Sequence, residues 1–242
     1  MDMESNAQIS REYITRLRDW AQTYFSEILG RQGFVSYNGE DTSWYRLADG
    51  QLLQSVYLYG VACESEFHVK IGYGIHPLFI KAPIPQQCRL LDWVDTEVMT
   101  QIHFFPPMVP LDGSYPLMFP ATAQHGAERL REFIFPLFEQ TKTMENAYAW
   151  YKARYQAMET ALLSYATPEF IDWAIYMKDR DVYPMCLRAL EQKNTPAGSS
   201  CARRREAQIG AMNGSSLDEY IRLLEAEAEK NALLLREKLG IQ

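Results

Sequence analysis

Three polar residues near the middle of the chain have the types that general acid–base catalysis requires. His103 stands in an apolar stretch, and Asp92 and Asp95 precede it closely. An imidazole oriented by a carboxylate can act as a general base near neutral pH. Such a set would suit a small hydrolase or transferase with its site among the proline-rich loops of 76–121. The alternative is structural, since carboxylates near turns commonly cap local N–H groups and a histidine among apolar residues is commonly a hydrogen-bonded core residue.

A second group of polar and aromatic residues falls on two consecutive strand-like segments. Residues 66–75 alternate, with apolar side chains at the odd positions and His68 and Lys70 on the opposite face. If the hairpin loop before them has two or four residues, antiparallel pairing places Tyr57 and Tyr59 beside them, whereas a three-residue loop reverses the assignment. Tyrosine is enriched at protein interfaces but also favoured in strands. Recognition and packing are therefore both open, and recognition requires that these four side chains form an exposed patch.

The strong cofactor and metal motifs are absent from the sequence. It contains no P-loop, HExxH, GxSxG or EF-hand pattern. Gly72 and Gly74 do not make a dinucleotide fingerprint, because Pro77 stands where the third glycine is required. The four cysteines lack CxxC spacing, so neither a zinc site nor a disulfide framework is predicted; they are Cys63, Cys88, Cys186 and Cys201. We expect no cofactor, no metal and free thiols in a reducing cytoplasm.

The charge distribution restricts the classes of partner. The net charge is -7, and the first 140 residues account for all of it, with 17 acidic and 10 basic residues. Nucleic acids and anionic membrane surfaces both attract clustered Lys and Arg, so we expect neither as a partner. The N-terminus has acids where a signal peptide has bases, and no apolar stretch approaches the roughly 18 residues that span a bilayer. These features predict a cytoplasmic protein.

The elements that would position these residues begin with a helix and a sheet. Apolar residues at helical spacing predict a helix over 9–29, ended by Gly30. Four strand-like runs follow between Phe34 and Ile75, with turn signals at Asn38-Gly39 and Asp49-Gly50. Short connections cannot join parallel strands, so the runs predict an antiparallel meander whose apolar face the helix covers. The prolines of 76–121 argue against long regular elements there, apart from one strand at about 97–104.

The second half of the chain reads as helices. The predicted segments are 123–138 with a kink at Pro136, 144–165, 168–178 and 181–194. Residues 195–216, with their glycines, serines and a solvated Arg203-Arg204-Arg205 run, predict a flexible linker. The last helix, 217–242, starts at a capping box formed by Ser216 and Glu219. Its apolar stripe either docks on the same chain, which we favour, or packs on a partner or a second copy.

The first 150 residues contain a set of motif residues in a characteristic order. They are Gly33-Phe34, Trp44, Arg46, Gln54 and Gly74, followed by PLFEQTKTMENAY at 136–148. The chain resembles a family of small bacterial proteins catalogued only as a domain of unknown function. In that family a helix ending in a Gly-Phe pair leads into a strand bearing arginine or tryptophan, two long antiparallel strands and a helix. The resemblance covers residues 10–150 and carries over no catalytic residues. Some similar domains look like immunity proteins that neutralise bacterial toxins, which favours binding over catalysis.

We therefore expect an α+β protein in which an antiparallel meander sheet packs on an N-terminal helix and following helices. The expected parts are a sheet domain at 1–140, a helical extension at 141–194, the linker at 195–216 and the C-terminal helix at 217–242. The expected function is non-enzymatic protein binding, as an immunity-like or adaptor domain, through the sheet face of Tyr57, Tyr59, His68 and Lys70 or through the last helix. The alternatives are the hydrolase or transferase with the His103 site, and self-association of the last helix.

Overall fold

The structure, a computed structural model, describes residues 15, 18–19, 21–36, 42–63, 66–79, 103–110, 120–157, 168–192 and 199–240. Within these ranges the elements are α1 (21–30), β1 (Val35–Ser36), β2 (Ser43–Ala48), β3 (Leu52–Cys63), β4 (Glu66–Pro77), β5 (His103–Pro110), α2 (Pro120–Arg129), α3 (Phe135–Gln140), α4 (Met144–Ala157), α5 (Pro168–Tyr176), α6 (Tyr183–Gln192), α7 (Ser200–Met212) and α8 (Leu217–Leu239). A sheet followed by helices confirms the α+β class.

The described strands form a five-stranded sheet in the order β1-β2-β3-β4-β5, with every neighbouring pair antiparallel. This pairing confirms the meander. Cys63 lies opposite Glu66, so two residues connect β3 to β4, and Val56 lies opposite Tyr73. Val56 is fully buried, and Ile71, Tyr73 and Ile75 of β4 are at most 2% exposed, so the odd-numbered apolar residues of β4 whose side chains are described lie in the core.

Strand β5 corrects the expectations for the proline-rich segment. It spans His103–Pro110 and overlaps the strand predicted at about 97–104 at its last two residues, while residues 97–102 lie outside the described residues. It is a regular element despite its prolines. It lies at the edge of the described sheet, and its pairing with β4 shifts register on both sides of His68. Proline has no N–H to donate, and an irregular edge strand tolerates this because its outer donors need no partner in the sheet.

The last residue of helix α1 is Gly30, one residue beyond the predicted end, and the Gly-Phe pair closes its C-terminal turn. Gly33 adopts a φ of 78°, and its N–H donates to the Gly30 carbonyl at 3.0 Å. The Phe34 N–H donates to the Leu29 carbonyl, also at 3.0 Å. These two bonds form a Schellman motif, in which the left-handed residue is usually glycine because a Cβ is disfavoured there. Gly30 is therefore part of the helix, and Gly33 is the residue that ends it.

Two helices cover the apolar face of the sheet, as the sequence predicts for α1. The Trp44 indole donates to Ser26 Oγ of α1 at 3.4 Å. The ring of Phe138 in α3 meets Tyr73 edge-on, with centroids 6.1 Å apart. The irregularity predicted at Pro136 is a π-helical turn, Leu130–Ile134, between α2 and α3. A proline ring clashes with the carbonyl four residues earlier, and the wider turn relieves that clash.

The linker predicted at 195–216 is wrong, because α7 lies within it. Ser199 caps the first turn of α7 through its side-chain oxygen. At the other end, the Ser215 N–H donates to the Gly210 carbonyl at 3.1 Å, and Gly214 takes a φ of 84°. The glycine that suggested a linker is thus a residue that ends a helix.

Helix α8 packs on the rest of the chain, which confirms docking in cis. Its predicted apolar stripe is buried, namely Ile221, Leu224, Ala228, Ala232, Leu235 and Leu239. The Asn231 side-chain amide donates to the Leu78 carbonyl, just after β4, at 2.6 Å. Ser216 makes no side-chain hydrogen bond to the first turn, so the predicted capping box does not form. The stripe faces the protein's own core and is not available for self-association.

Candidate functional site

The sheet face predicted to bind a partner is buried where its side chains are described. Tyr57 is 4% exposed, and its ring occupies the space that a Cβ on Gly72, directly opposite on β4, would need. The register puts Tyr59 opposite Lys70 on the same face as Tyr57, as predicted. The side chains of Tyr59, His68 and Lys70 lie outside the described residues. The exposure predicted for Tyr57 is wrong, because a glycine at position 72 lets the ring lie on the strand.

The predicted catalytic set falls almost wholly outside the described residues. Asp92 and Asp95 are not among them. His103 is the first residue of β5, with its main chain opposite Ile71, but its side chain lies outside the described residues. The acid–base hypothesis therefore stays a prediction.

A buried carboxylate, Asp172, is the centre of a polar cluster that the sequence analysis did not identify. Its Oδ2 accepts hydrogen bonds from Arg204 Nη2 at 2.6 Å and Nε at 3.1 Å. Its Oδ1 accepts from the Gln208 amide and the Tyr220 hydroxyl, both at 2.6 Å. Arg204 also donates to Glu169 Oε1 at 2.8 Å. The cluster joins α5, α7 and α8. Arg204 was predicted to be solvated, but it is paired with these two carboxylates.

Burial controls the electrostatics of this cluster. It raises the pKa of the Asp172 carboxyl, and the Arg204 charge together with donation from Tyr220 and Gln208 offsets part of the rise. Burial, followed by the Asp172 charge, raises the pKa of the Tyr220 hydroxyl. Each oxygen of Asp172 already accepts two hydrogen bonds, so the carboxylate is arranged to join helices rather than to act on a substrate.

A second polar cluster joins α4 to the segment before α6. Asp179 Oδ2 accepts from Lys152 Nζ at 2.5 Å and from the Tyr148 hydroxyl at 2.8 Å. Burial acts to raise the pKa of Asp179, but the bonds from Lys152 and Tyr148 and the lysine charge outweigh it and hold the pKa below its usual value. Burial, reinforced by Asp179, raises the pKa of Tyr148. The Asp179 carboxylate is thus held in its charged form and forms an ion pair with Lys152.

Phe34, Gln54 and Glu139 meet around Arg46. Its guanidinium donates to Gln54 Oε1 at 2.7 Å, to the Gln32 carbonyl at 2.9 Å and to Glu139 Oε1 at 3.2 Å. Its Cζ lies 4.8 Å from the ring centroid of Phe34. The planar guanidinium suits this combination of stacking and several donors. Arg46 therefore clamps β2 to the ends of α1 and α3, which is a structural role.

Beside Arg46 opens a cleft of about 660 Å³, which we name the turn cleft. It lies between the β2–β3 turn, the α3–α4 connection and α8, and is lined by Gln32, Gly33, Arg46, Leu47, Ala48, Asp49, Gly50, Glu139, Lys142, Thr143 and Arg236. On the other side of the same turn is the α8 groove, of about 440 Å³, lined by Asp49, Gly50, Gln51, Ala228, Glu229, Ala232, Leu233 and Arg236. Asp49, Gly50 and Arg236 line both.

Both acids of the turn cleft already have partners. Asp49 Oδ2 accepts from the Met144 N–H at 3.4 Å, at the start of α4, where a carboxylate is favourable. Glu139 pairs with Arg46 at 3.2 Å and with Lys142 at 3.6 Å. Both acidic side chains of the turn cleft therefore already interact with groups of the same chain.

Three side chains of α8 that line this region, those of Glu229, Leu233 and Arg236, project towards solvent. Arg236 is exposed and forms no ion pair with any residue that the structure describes. Leu233 is 66% exposed. A cation thus lies between the two depressions, and an apolar side chain borders the α8 groove.

The described ranges contain neither a group of metal-binding side chains nor a membrane-spanning helix. There, no three His, Cys, Asp or Glu side chains are grouped to hold a metal ion. Nor is any helix in those ranges sufficiently long and apolar to cross a bilayer.

Comparison with known proteins finds no matching protein-family model, curated protein or solved structure. The candidate site therefore rests on geometry alone. The sequence identified Asp49-Gly50 as a turn but not as the wall of a cleft, because the α8 residues beside it stand near the other end of the chain. The available signal was Leu233, a large apolar residue off the buried stripe of α8.

Proposed function

We propose that this protein is a non-enzymatic binding domain, immunity-like or an adaptor in the cytoplasm, that recognises another protein through the α8 groove. The observation that carries the proposal is Leu233, which is 66% exposed beside a floor of buried Ala228 and Ala232. Burying apolar surface favours association, and small floor residues leave room for a partner's side chain. The α8 groove is not the sheet face of Tyr57, Tyr59, His68 and Lys70 that the sequence predicted, but it does include the last helix, which was the other predicted surface.

The hydrogen bonding of the buried polar groups supports binding over catalysis. Asp172 is buried and Asp179 and Arg46 are half-buried, as charged catalytic groups often are, yet the hydrogen bonds of all three run to other parts of the same chain. The resemblance to a family with immunity-like members points the same way. The hydrolase or transferase alternative rests on His103, Asp92 and Asp95, and no observation on the described residues favours it.

Affinity capture followed by titration tests the proposal. The full chain and the Leu233→Lys variant are used as baits in parallel, and a protein retained only by the wild type is purified and titrated. We expect Leu233→Lys to weaken the Kd at least about tenfold, because covering a lysine ammonium with the partner strips its water. Leu223→Lys is the matched control, since Leu223 is 61% exposed on the same helix but does not line the groove.

The outcomes separate the alternatives. An equal Kd for wild type and Leu233→Lys would exclude the α8 groove as the binding surface. A doubled mass in solution that Leu233→Lys reverses would show that the groove binds a second copy of this chain rather than another protein. If the purified chain turned over a substrate and His103→Ala abolished the turnover, the proposed binding function would be wrong and the hydrolase or transferase alternative would hold.

A further inference from the structure

We infer that the partner presents an extended acidic segment, which pairs in the turn cleft with Leu47, beyond the part of β2 that pairs with β1, and places a carboxylate on Arg236. This inference rests on the proposed function, since it assigns the chemistry of the partner to the same surface. It adds a main-chain contact and a charged contact to the apolar contact at Leu233.

The main-chain contact follows from the register of β2. Alternate residues of an antiparallel strand bond to opposite neighbours. The Leu58 N–H donates to the Thr42 carbonyl at 2.8 Å, so even-numbered residues of β2 bond to β3 and Leu47 directs its N–H and C=O away from β3. On that side the described pairing of β1 reaches only Trp44 and Tyr45. Leu47 lines the turn cleft, where an extended peptide can extend the sheet.

The charged contact follows from the unequal pairing of the cleft residues. Asp49 and Glu139 already bond within the protein, whereas Arg236 has no ion-pair partner in the described part of the chain. A guanidinium binds a carboxylate with two parallel hydrogen bonds, which gives both affinity and orientation. An acidic side chain or a chain-terminal carboxylate therefore complements the cleft.

The turn cleft and the α8 groove adjoin the same residues of the β2–β3 turn and of α8. Gly50 and Arg236 line both the turn cleft and the α8 groove. A segment that bonds to Leu47 and Arg236 can therefore place a neighbouring apolar side chain against Leu233. The turn cleft, at about 660 Å³, falls within the range of roughly 300–1,000 Å³ found for sites that bind small ligands, so it can hold a few residues.

Selection of random displayed peptides on the full chain tests this chemistry. We expect the selected peptides to contain Asp or Glu next to a large apolar residue. For a synthetic peptide of the selected sequence, Arg236→Gln should weaken the Kd about tenfold or more, and Arg236→Lys should weaken it less, because the charge remains. Arg222→Gln is the control, since Arg222 is exposed on the same helix outside both depressions. N-methylation of the peptide main chain should also weaken binding.

The results distinguish this inference from the proposed function. Selected peptides without acidic residues, or a Kd unchanged by Arg236→Gln, overturn the inference, while loss of partner binding in Leu233→Lys leaves the proposed function standing. If no peptide is selected, the extended segment is excluded and the titration of the captured protein decides the function alone. If neither Arg236→Gln nor Leu233→Lys changes the Kd of the captured partner, both proposals fail.

Discussion

Half-buried Arg204 and buried Asp172 form an ion pair, with Nη2 of the guanidinium 2.6 Å from Oδ2 of the carboxylate. The pair joins α7 to α5, and Gln208 and Tyr220 complete the hydrogen bonding of the carboxylate. Buried charges are tolerated only when paired and fully hydrogen-bonded. This pair therefore attaches α7, whose sequence predicts a flexible linker, to the protein core.

Removing the carboxylate should destabilise the protein strongly. Asp172→Ala leaves the Arg204 charge with only Glu169 as a partner, and we expect a loss of about 3–5 kcal/mol in the free energy of unfolding. Urea denaturation followed by circular dichroism measures it. The control is Asp218→Ala, whose carboxylate is 83% exposed and 3.9 Å from Lys178, with an expected change within about 0.5 kcal/mol. Similar losses in both variants would contradict a special role for the buried pair.

The close approach of Tyr57 to Gly72 makes a methyl group at position 72 costly. Gly72→Ala places a Cβ inside the Tyr57 ring, so the ring or the strand must move, and we expect a loss of about 1–3 kcal/mol. Gly30→Ala is the control, because Gly30 is helical and has open space around its Cβ position, so a gain of about 0.5–1 kcal/mol is expected. Thermal melts that shift in the same direction for both variants would disprove the packing argument.

The Lys152–Asp179 pair should contribute to stability in a pH-dependent way. The pKa of Asp179 is lowered in the folded state, so its contribution is present above the unfolded value, about 3.9, and is lost as pH falls through the folded pKa. Asp179→Asn should therefore be less stable than the wild type at pH 7 but lose less stability on acidification. Urea denaturation between pH 2 and pH 7 checks this.

Two features make the pH experiment specific. The pKa of Asp172 is raised, so that residue contributes with the opposite sign and only the difference between variants isolates Asp179. Asp181→Asn serves as the control, because it changes an exposed side chain but keeps the Asp181 N–H that bonds to Asp179. Parallel stability curves for wild type and Asp179→Asn would refute the prediction.

The two described thiols should react at very different rates. Cys201 is exposed, whereas Cys186 is fully buried and burial raises the pKa of its thiol to about 12. Because the thiolate is the reactive form, iodoacetamide at pH 8 should label Cys201 and leave Cys186 unlabelled in the folded protein. Peptide mapping by mass spectrometry measures both sites, and labelling in guanidinium, where both should react, is the control. Rapid labelling of Cys186 in the folded chain would contradict the burial.

Local periodicity in the sequence determined much of the fold. The alternation in 66–75 predicted the buried side chains of Ile71, Tyr73 and Ile75, because successive side chains of a strand point to opposite faces. The same reasoning at helical spacing predicted the buried stripe of α8, including Leu224 and Leu235. Short connections predicted the antiparallel order of the strands. These features depend on neighbours within a few residues, so the sequence alone is sufficient.

Only the tertiary structure decided which polar groups are buried and which surface is left open. From the sequence alone Arg204 is predicted to be solvated, but the fold places Asp172, 32 residues earlier, in contact with it. Tyr57 reads as an exposed aromatic residue until its ring meets Gly72 on the next strand. The cleft forms because α8 returns to the β2–β3 turn and places Arg236 beside Gly50. Such contacts join residues that are far apart in the chain. Their free energy depends on the folded arrangement, so the spacing of neighbouring residues does not predict them.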